Sequence, residues 1–564
     1  MRAPCLLVLV VLALSSCGDD GANPGDGGGD LAIADGTSAD SNGTGGDAGP
    51  PPMTCTPSIV AESTAAPTSV VGTGTPASCT ETAFTDAVKK GGVITFDCGG
   101  AATITLHAQA VLRTDADTVI DGGNQITLDG GGTTRLLSFN SPNFLATSTK
   151  VTLQHLTLAN GKTSGTLPIA TVSPNPNNCS QGYFDGEGGA VYVRDGILHV
   201  IDCLFSNNQA EKLGPDVGGG AIYSVGSLDT TVAGSRFVGN SGANGGAIGS
   251  LFSHFASYNN LYMGNRALGV GENGDPGATD GCPCIPAAAA AKNDGCASGQ
   301  YQTGSGGNGG AIAIDGGDST ADPTFTVVFC GDAFRGNSAG GAGGAIFRTP
   351  DSHQQKTTLT RCTLDGNTTT DSGAAVYFHN SAVEIVDSTI ANHSGPSATI
   401  KADGSILDFT NVTIAGNHAT TVAGALGDYS NTGVWTNVTM ANNTAGQFAA
   451  GIQAGGNLTF KNVLIDNNLS PSTPMACASK NQDGGHNVQF PETTAAGTDP
   501  PCTDNITWLD PQLGALADNG GPTQTLLPGA TPAALQAGAN CPDHDQRGQP
   551  RNPAHCTVGA VEVP

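Results

Sequence analysis

The chain has 564 residues, of which 83 are glycine and only 12% are charged, so its composition fits neither a helical bundle nor a charged disordered chain. The formal net charge is −27 with 21 Lys and Arg, which argues against nucleic-acid binding and against charge-driven binding to anionic lipids. The abundance of Gly, Thr, Asn and Ser favours an all-β fold with many tight turns.

The N-terminus has the layout of a secretory signal. Residues 1–16 read MRAPCLLVLVVLALSS, and the apolar run is too short to span a bilayer. The sequence Leu14-Ser15-Ser16-Cys17 resembles the lipobox of bacterial lipoproteins. The resemblance implies cleavage before Cys17, lipid attachment to its sulfur and a membrane anchor. An ordinary signal peptide with a chance cysteine is the alternative.

The lipobox places the protein in a bacterial cell envelope, either surface-exposed or periplasmic. Gly18 stands where some bacteria have the Asp of an inner-membrane retention signal, which favours the outer membrane. Residues 17–52 then combine the lipidated cysteine with an Asp-, Gly- and Pro-rich stretch that lacks Lys and Arg. Such a stretch cannot bury enough apolar area to order itself, so we expect a flexible tether.

The cysteine count indicates disulfides. Cys5 leaves with the signal and Cys17 carries the lipid, so fourteen cysteines remain in an exported chain. Spacing alone does not fix their connectivity. The preferred pairs are neighbours in sequence: Cys79 with Cys98, Cys477 with Cys502, and Cys541 with Cys556.

Residues 75–100 predict an N-terminal cap. Ser78 and Glu81 have the spacing of a capping box, followed by a short amphipathic helix with Phe84, Ala87 and Val88 facing inward. Such a helix would cover an open end of a β-structure, which would otherwise template aggregation. Residues 75–140 resemble the opening coils of bacterial β-helix proteins.

A unit of about 25 residues repeats through the centre of the chain. Most copies end in an aromatic or aliphatic residue, two spacers and an asparagine, and about 18 residues earlier they carry Gly-Gly-Ala-Ile or a variant of it. The repeated asparagines are Asn208, Asn240, Asn265, Asn337, Asn367, Asn417, Asn443 and Asn468.

Apolar and polar residues alternate between these marks, which predicts short strands. A unit of this length has no room for a helix, so we predict a right-handed parallel β-helix of the pectin-lyase-like type. The apolar residue before each asparagine would stack inside. The asparagine itself would adopt a left-handed turn and bond to its neighbours along the axis.

The repeats over residues 150–470 resemble those of polymorphic outer membrane proteins, which are surface β-helix adhesins. The resemblance implies an adhesive surface, although the membrane barrel of that family has no counterpart here. Residues 269–307 interrupt one repeat. Cys282, Cys284 and Cys296, together with Cys330, form disulfides or, as the alternative, bind zinc. This insertion is our sequence-based candidate for a specific binding site.

Residues 484–564 carry GGHN, LDPQLGALADNGGPTQTLLPGATPAALQAG and DQRG, and resemble the choice-of-anchor Q domain. That domain follows β-helices in surface proteins that differ in their anchoring. Arg547 is interpreted as a structural ion-pair partner. We therefore divide the chain into signal (1–16), tether (17–52), β-helix (53–483) and C-terminal region (484–564), which would cap the other end.

The sequence predicts no catalytic residue, no metal site and no cofactor. A polysaccharide lyase of this fold would need a cluster of acidic residues that binds calcium and a basic residue that removes a proton. The sequence motifs of the glycoside hydrolases that share this fold are missing from residues 53–564. His393 and His418 are interpreted as exposed turn residues rather than stacked metal ligands, and Cys203 and Cys362 as buried thiols. The leading prediction is a non-enzymatic surface lipoprotein that binds a polysaccharide or a surface protein. A polysaccharide lyase or hydrolase and a purely structural envelope component are the alternatives.

Overall fold

The structure is a computed structural model and describes residues 55–165, 185–214, 216–269, 284–286, 300–302, 306–316, 326–350, 355–454, 457–471, 473–529 and 535–563. The predictions for the signal peptide, Cys17, the tether, Cys282 and Cys296 lie outside these residues, and only the backbone of Cys284 is described. No described helix is long and apolar enough to cross a membrane.

The chain winds into a parallel β-helix, which confirms the predicted fold. Strands of successive coils pair in parallel at equivalent positions, so that Ile222 lies beside Ile248 and Phe205 beside Phe237. A full coil contributes two strands to a large sheet and one to each of two smaller sheets. Each coil therefore presents the same row of side chains as the coil before it.

The described strands fall into three parallel sheets and two small hairpins. The large sheet contains Ser69–Val71, Gly92–Phe96, Ala102–Thr105, Thr118–Asp129, Lys150–Ala159, Ile197–Ile201, Leu204–Ser206, Asp229–Ala233, Arg236–Val238, Phe255–Tyr258, Leu261–Met263, Thr326–Cys330, Ala333–Arg335, Lys356–Thr360, Thr363–Asp365, Ala382–Val386, Thr389–Ala391, Ile406–Thr410, Thr413–Ala415, Gly433–Thr436, Thr439–Ala441, Leu458–Lys461, Leu464–Asp466, Gln482–Asp483, Val488–Phe490 and Thr507–Trp508. The eleven-stranded sheet contains Ala110–Val111, Leu137–Asn140, Val191–Arg194, Ile222–Val225, Ile248–Leu251, Ile312–Asp315, Ile346–Thr349, Val376–His379, Ile400–Asp403, Leu426–Tyr429 and Ile452–Ala454. The short sheet contains Ser241–Gly242, Arg266–Ala267, Ser338–Ala339, Thr368–Thr369, Ser394–Gly395, His418–Ala419 and Thr444–Ala445. The antiparallel hairpins pair Cys284–Pro286 with Gln300–Gln302, and Thr493–Thr494 with Gly497–Thr498.

The core is a set of stacked rows inside the coils. The aromatic residue of each repeat points inward, and the rings of Phe205, Phe237, Tyr262 and Phe334 stack with centroids 4.7–5.0 Å apart. This distance is close to the spacing of paired strands, about 4.8 Å, so in-register pairing itself brings the rings into contact.

The repeated asparagines form a buried ladder along the axis, as predicted. In Asn208 the backbone N–H and Nδ2 both donate to Oδ1 of Asn240, at 3.0 and 2.9 Å. Asn240 donates in the same way to Asn265, and the pattern continues to Asn468 with one exception, at position 393. Each buried amide is thereby satisfied by the next coil, so the asparagines serve folding rather than binding.

The predicted left-handed conformation belongs to a different residue. The ladder asparagines have negative φ, whereas the residue before each of them has positive φ, as at Asn207 (55°) and Gly239 (64°). This correction has a simple reason: the residue before the ladder makes the turn, which leaves the ladder side chain free to point inward.

The Gly-Gly-Ala corner combines two constraints. The first glycine adopts positive φ, 63° at Gly219, and a Cβ on the second, Gly220, would lie 2.2 Å from the carbonyl oxygen of Gly246 in the next coil. In the weaker copy Ala-Gly-Ala-Leu, Ala423 takes the left-handed position with φ 64°. The close approach of the coils is therefore the constraint that retains Gly424.

A helix covers the N-terminal end, with a different cap from the one predicted. It spans Glu81–Lys90 and buries Phe84, Ala87 and Val88, as expected. Its N-cap is Thr80, whose side chain accepts from the N–H of Ala83 at 3.2 Å. Ser78 instead ends the preceding 3-10 turn Pro76–Ser78.

The Ser78–Glu81 capping box is thus wrong, because the helix begins at Glu81 itself. The carboxylate of Glu81 accepts from the backbone N–H groups of His107 and Ala108. It thereby ties the cap to the first coils instead of closing its own helix.

Residues 55–68 form a strap along the outside of the large sheet. Cys55 is disulfide-bonded to Cys330 and exchanges two hydrogen bonds with Asn259. The backbone N–H of Glu62 donates to Oε1 of Gln154, and Nε2 of Gln154 donates to the carbonyl of Glu62. At the first coils, the backbone N–H of Thr68 donates to the carbonyl of Val93. The strap therefore runs from the middle of the β-helix back to its N-terminal end.

The insertion at 269–307 leaves the stack of coils unbroken. Ile248, before it, pairs with Ile312, after it, and Leu261 pairs with Ala333. Its two ends also meet, since a Cβ on Gly307 would lie 2.4 Å from the carbonyl oxygen of Gly269.

The C-terminal region first continues the coils and then returns along them. Val488–Phe490 and Thr507–Trp508 still pair in the large sheet, so the stack extends past the predicted boundary at 483. Residues 509–529 and 535–563, the return segment, then lie against its outer face. Gln546 bonds to Thr389 and Thr413, and the N–H of Ala560 donates to Thr439. The return segment therefore covers a side of the β-helix.

Candidate functional site

A column of aromatic residues lies on the outer face of the eleven-stranded sheet. In the strands Val191–Arg194 and Val376–His379 the first residue is a buried valine, and the tyrosine after it points outward. Tyr192 and Tyr223 stack in this column with centroids 6.4 Å apart, and Phe347 and Tyr377 stack at 5.1 Å. We call Tyr192, Tyr223, Phe347 and Tyr377 the aromatic column.

Small residues separate the two aromatic pairs. The register runs from Tyr223 to Gly249, then to Ala313 and Phe347. A Cβ on Gly249 would lie 2.7 Å from the ring of Tyr223, so only glycine lets that ring lean over the neighbouring coil. The remaining gap has a volume of about 20 Å³, room for roughly one water, and Asp315 is among its lining residues.

Charged groups border the column at both ends. The guanidinium of Arg135 lies 5.1 Å from the ring centroid of Tyr192, and Lys401 Nζ lies 3.7 Å from that of Tyr429. The hydroxyl of Tyr377 donates to Asp403 Oδ2 at 3.0 Å. Ring faces are thus accompanied by fixed polar groups, the combination that binding sites for polar ring compounds use.

One buried carboxyl lies beside the first aromatic pair. Glu187 is 6% exposed, and burial raises its pKa well above the usual range, with Arg135 opposing the shift. The nearby Asp216 raises the pKa of Glu187 further. The raised pKa favours the protonated form of Glu187, the state that a proton donor requires.

Comparisons with protein families, curated proteins and solved structures find no match to this chain. The resemblances to the lipobox, to the adhesin repeats and to the choice-of-anchor Q domain therefore stay predictions.

The three disulfides predicted between sequence neighbours are present. Cys79 bonds to Cys98, Cys477 to Cys502, and Cys541 to Cys556. Cys330 is not a partner of the insertion cysteines, because it bonds to Cys55 across 275 residues. Spacing could not reveal this pair, since the strap returns from the middle of the solenoid.

The two predicted buried thiols belong to a second interior ladder. Cys203 and Cys362 are free and buried, and the N–H of Cys203 donates to Oγ of Ser235 in the next coil. Burial raises the pKa of Cys203 to about 12 and that of Cys362 well above its usual value. Neither thiol is poised for reaction.

Asp332 occupies the same ladder. Its Oδ1 accepts from the N–H of Asn260 at 2.8 Å, while Oδ2 is buried without a partner. Burial raises its pKa to about 7. It lies inside the coils and cannot meet a ligand.

His393 and His418 occupy different positions from those predicted. His393 is buried and replaces an asparagine in the ladder, accepting from the N–H of Asn367 at Nδ1, 3.0 Å away. His418 is exposed and lies one position later in the coil, paired with Ser394. The prediction of two exposed histidines is wrong for His393, because the ladder site follows Asn392 in the repeat.

No group of three or more His, Cys, Asp and Glu side chains is arranged to hold a metal ion within the described ranges. Arg547 bonds to Asp545 through two atoms and to the carbonyl of Glu562, which confirms it as an ion-pair partner.

Proposed function

We propose that this chain is a bacterial surface lipoprotein whose β-helix binds glycans without transforming them. The observation that carries the proposal is the aromatic column. The faces of aromatic rings pack against the C–H groups of sugar rings, and adjacent polar groups bond to the hydroxyls. Tyr192 and Tyr377 are half-buried and offer ring surface to a ligand, whereas Tyr223 and Phe347 are buried and support their stacking partners.

The charge of the chain restricts the classes of glycan that can bind. A net charge of −27 repels polyanions over distance, so neutral glycans are favoured over polyuronates unless cations bridge them. The sequence-based support is the likeness of the repeats to surface adhesins and of residues 14–17 to a lipobox. A protein ligand on the same surface is the alternative for this face.

Replacing Tyr377 tests the proposal. The purified protein is titrated with a panel of neutral and acidic polysaccharides, with and without calcium. We expect Tyr377→Ala to weaken binding of the best neutral ligand about two- to tenfold, since one aromatic contact contributes roughly 0.5–1.5 kcal/mol. Tyr258→Ala, on an outward position of the large sheet, is the matched control and leaves binding unchanged. Equal binding by all three proteins would remove the aromatic column as the site.

A glycoside hydrolase is a second candidate, favoured by Glu187, whose pKa burial raises, and by the nearby Asp216. General acids of glycosidases are carboxyls with raised pKa, next to a second carboxylate. The same panel, followed for new chain ends, decides between the two. Cleavage by the unaltered protein would replace the non-enzymatic proposal.

A further inference from the structure

A separate open cavity of about 330 Å³ lies where the return segment crosses two turns of the large sheet. Arg361 and Asp387 line it from the β-helix, each in the turn after a strand of the large sheet. The return segment supplies the rest of the lining: Gly521, Pro522, His544, Gln546, Arg547 and Gly548. The volume is at the small end of the range for ligand sites, about 300–1,000 Å³.

The carboxylate in this cavity is already paired. The side chain of Asp387 is 6% exposed, and its Oδ1 accepts from Nδ2 of Asn411 at 3.1 Å. Its Oδ2 lies 3.2 Å from Nε2 of His544 and 4.0 Å from Nε of Arg361. Asp387 therefore orients two basic groups at the wall instead of repelling an anion without compensation.

Arg547 is fixed in place by bonds that leave one edge of its guanidinium unused. Nε donates to Oδ2 of Asp545 at 2.9 Å, and Nη2 donates to the carbonyl of Glu562 at 2.6 Å. Nη1 donates to no atom of the described part of the chain. Because Asp545 is fully buried and does not line the cavity, it holds Arg547 from behind.

Gln546, at the floor of the cavity, is held by hydrogen bonds as Arg547 is. Nε2 of Gln546 donates to Thr389 and Thr523, and its Oε1 accepts from Thr413. At the rim, a Cβ on Gly548 would find no atom within 4 Å, so the cavity opens there. Groups held by the fold lose little further freedom when a ligand binds.

The lining carries two guanidinium groups and one imidazole against one carboxylate, in a chain that is strongly acidic elsewhere. Guanidinium groups match planar carboxylates through paired N–H donors. We propose that this cavity binds a small organic carboxylate of the size of a single uronic acid residue. The proposal does not rest on the aromatic column, which lies on a different sheet.

Calorimetric titration of the full protein with sodium D-glucuronate tests this site, with methyl D-glucuronate and D-glucose as neutral counterparts of similar shape. We expect glucuronate to bind at least about tenfold more tightly than either, because only the acid forms charge-assisted bonds. Arg361→Gln should weaken glucuronate binding about ten- to hundredfold. Arg335→Gln, at an exposed position of the large sheet, is the matched control and leaves it unchanged.

Two results would overturn the proposal. One is no glucuronate binding by the unaltered protein up to about 10 mM, beyond the weak end of specific binding. The other is equal binding of the acid and its ester. Both comparisons use the unaltered protein, so they decide even where Arg361→Gln unfolds. Tyr377→Ala should leave glucuronate binding unchanged, which separates this site from the glycan surface.

Discussion

Two positions of the interior ladders depart from their repeat, and each carries a titratable group. His393 stands in a row of asparagines, and Asp332 stands in a row that also holds Asn260 and Cys362. Burial lowers the pKa of His393 to about 4 and raises that of Asp332 to about 7, so burial favours the neutral form of each group. A ladder position therefore tolerates any uncharged side chain that accepts a hydrogen bond from the backbone N–H of the neighbouring coil.

His393→Asn should make the protein less sensitive to acid. The unfolded chain binds a proton at His393 near pH 6.5 and the folded chain only near pH 4, so stability is full above pH 6.5 and is lost as pH falls through this window. The loss at pH 5 is on the order of 2 kcal/mol. Asparagine completes the ladder, because its Oδ1 would accept from Asn367 and its Nδ2 would donate to Leu364 as the imidazole does now.

Denaturant unfolding at pH 7 and pH 5 measures this effect. His393→Ala, which leaves the N–H of Asn367 buried and unpaired, should cost about 1–3 kcal/mol at pH 7. His418→Asn, at an exposed position, serves as the control for removing a histidine. If the unaltered protein and His393→Asn lose the same stability between the two pH values, the assignment to His393 is wrong.

At the scale of the element, the coil is the structural unit, and the insertion, the strap and the return segment are attached to the stack of coils. The insertion leaves one coil and returns to the same place, since Gly269 and Gly307 are in contact. The strap and the return segment do not interrupt the coils but lie on their outer faces. Pairing between coils is therefore independent of the length of chain between them.

Deleting residues 270–305 and joining Gly269 to Gly306 should leave the β-helix folded. Coils on either side already pair at Ile248 and Ile312, and shortening a loop lowers the entropic cost of closing it. We expect a change in Tm of no more than about 4 °C in thermal unfolding. A variant with a Gly-Ser bridge at the junction controls for strain there. Loss of cooperative unfolding in both variants would show that the insertion is part of the core.

For the whole molecule, the strap links the middle of the β-helix to its N-terminal end. Cys55 is held to Cys330 in the middle of the stack, although the first coil lies at its end. The aromatic column lies on the eleven-stranded sheet, whereas the Cys55–Cys330 bond lies on the large sheet.

Lipid attachment is tested by labelling cells with a radioactive fatty acid. We expect label in the unaltered protein, since diacylglyceryl transfer needs the sulfur of Cys17 and membrane retention needs more than one acyl chain. Cys17→Ser should lose the label and be released from membranes, while Cys5→Ser, within the signal peptide, keeps it. Label that persists in Cys17→Ser would refute the anchor.

The sequence by itself determined the β-helix, the asparagine ladder and the inward aromatic residues. These features depend on contacts within a coil or between adjacent coils, so their spacing repeats along the chain and is visible in it. The three disulfides between sequence neighbours were preferred from the sequence, and the structure confirms them. The structure alone revealed the Cys55–Cys330 bond and the cavity that Asp387 shares with His544, 157 residues away. These depend on segments that leave the repeat and fold back over it. Their contact partners depend on where the returning chain packs, and this position does not follow the repeat spacing of the sequence.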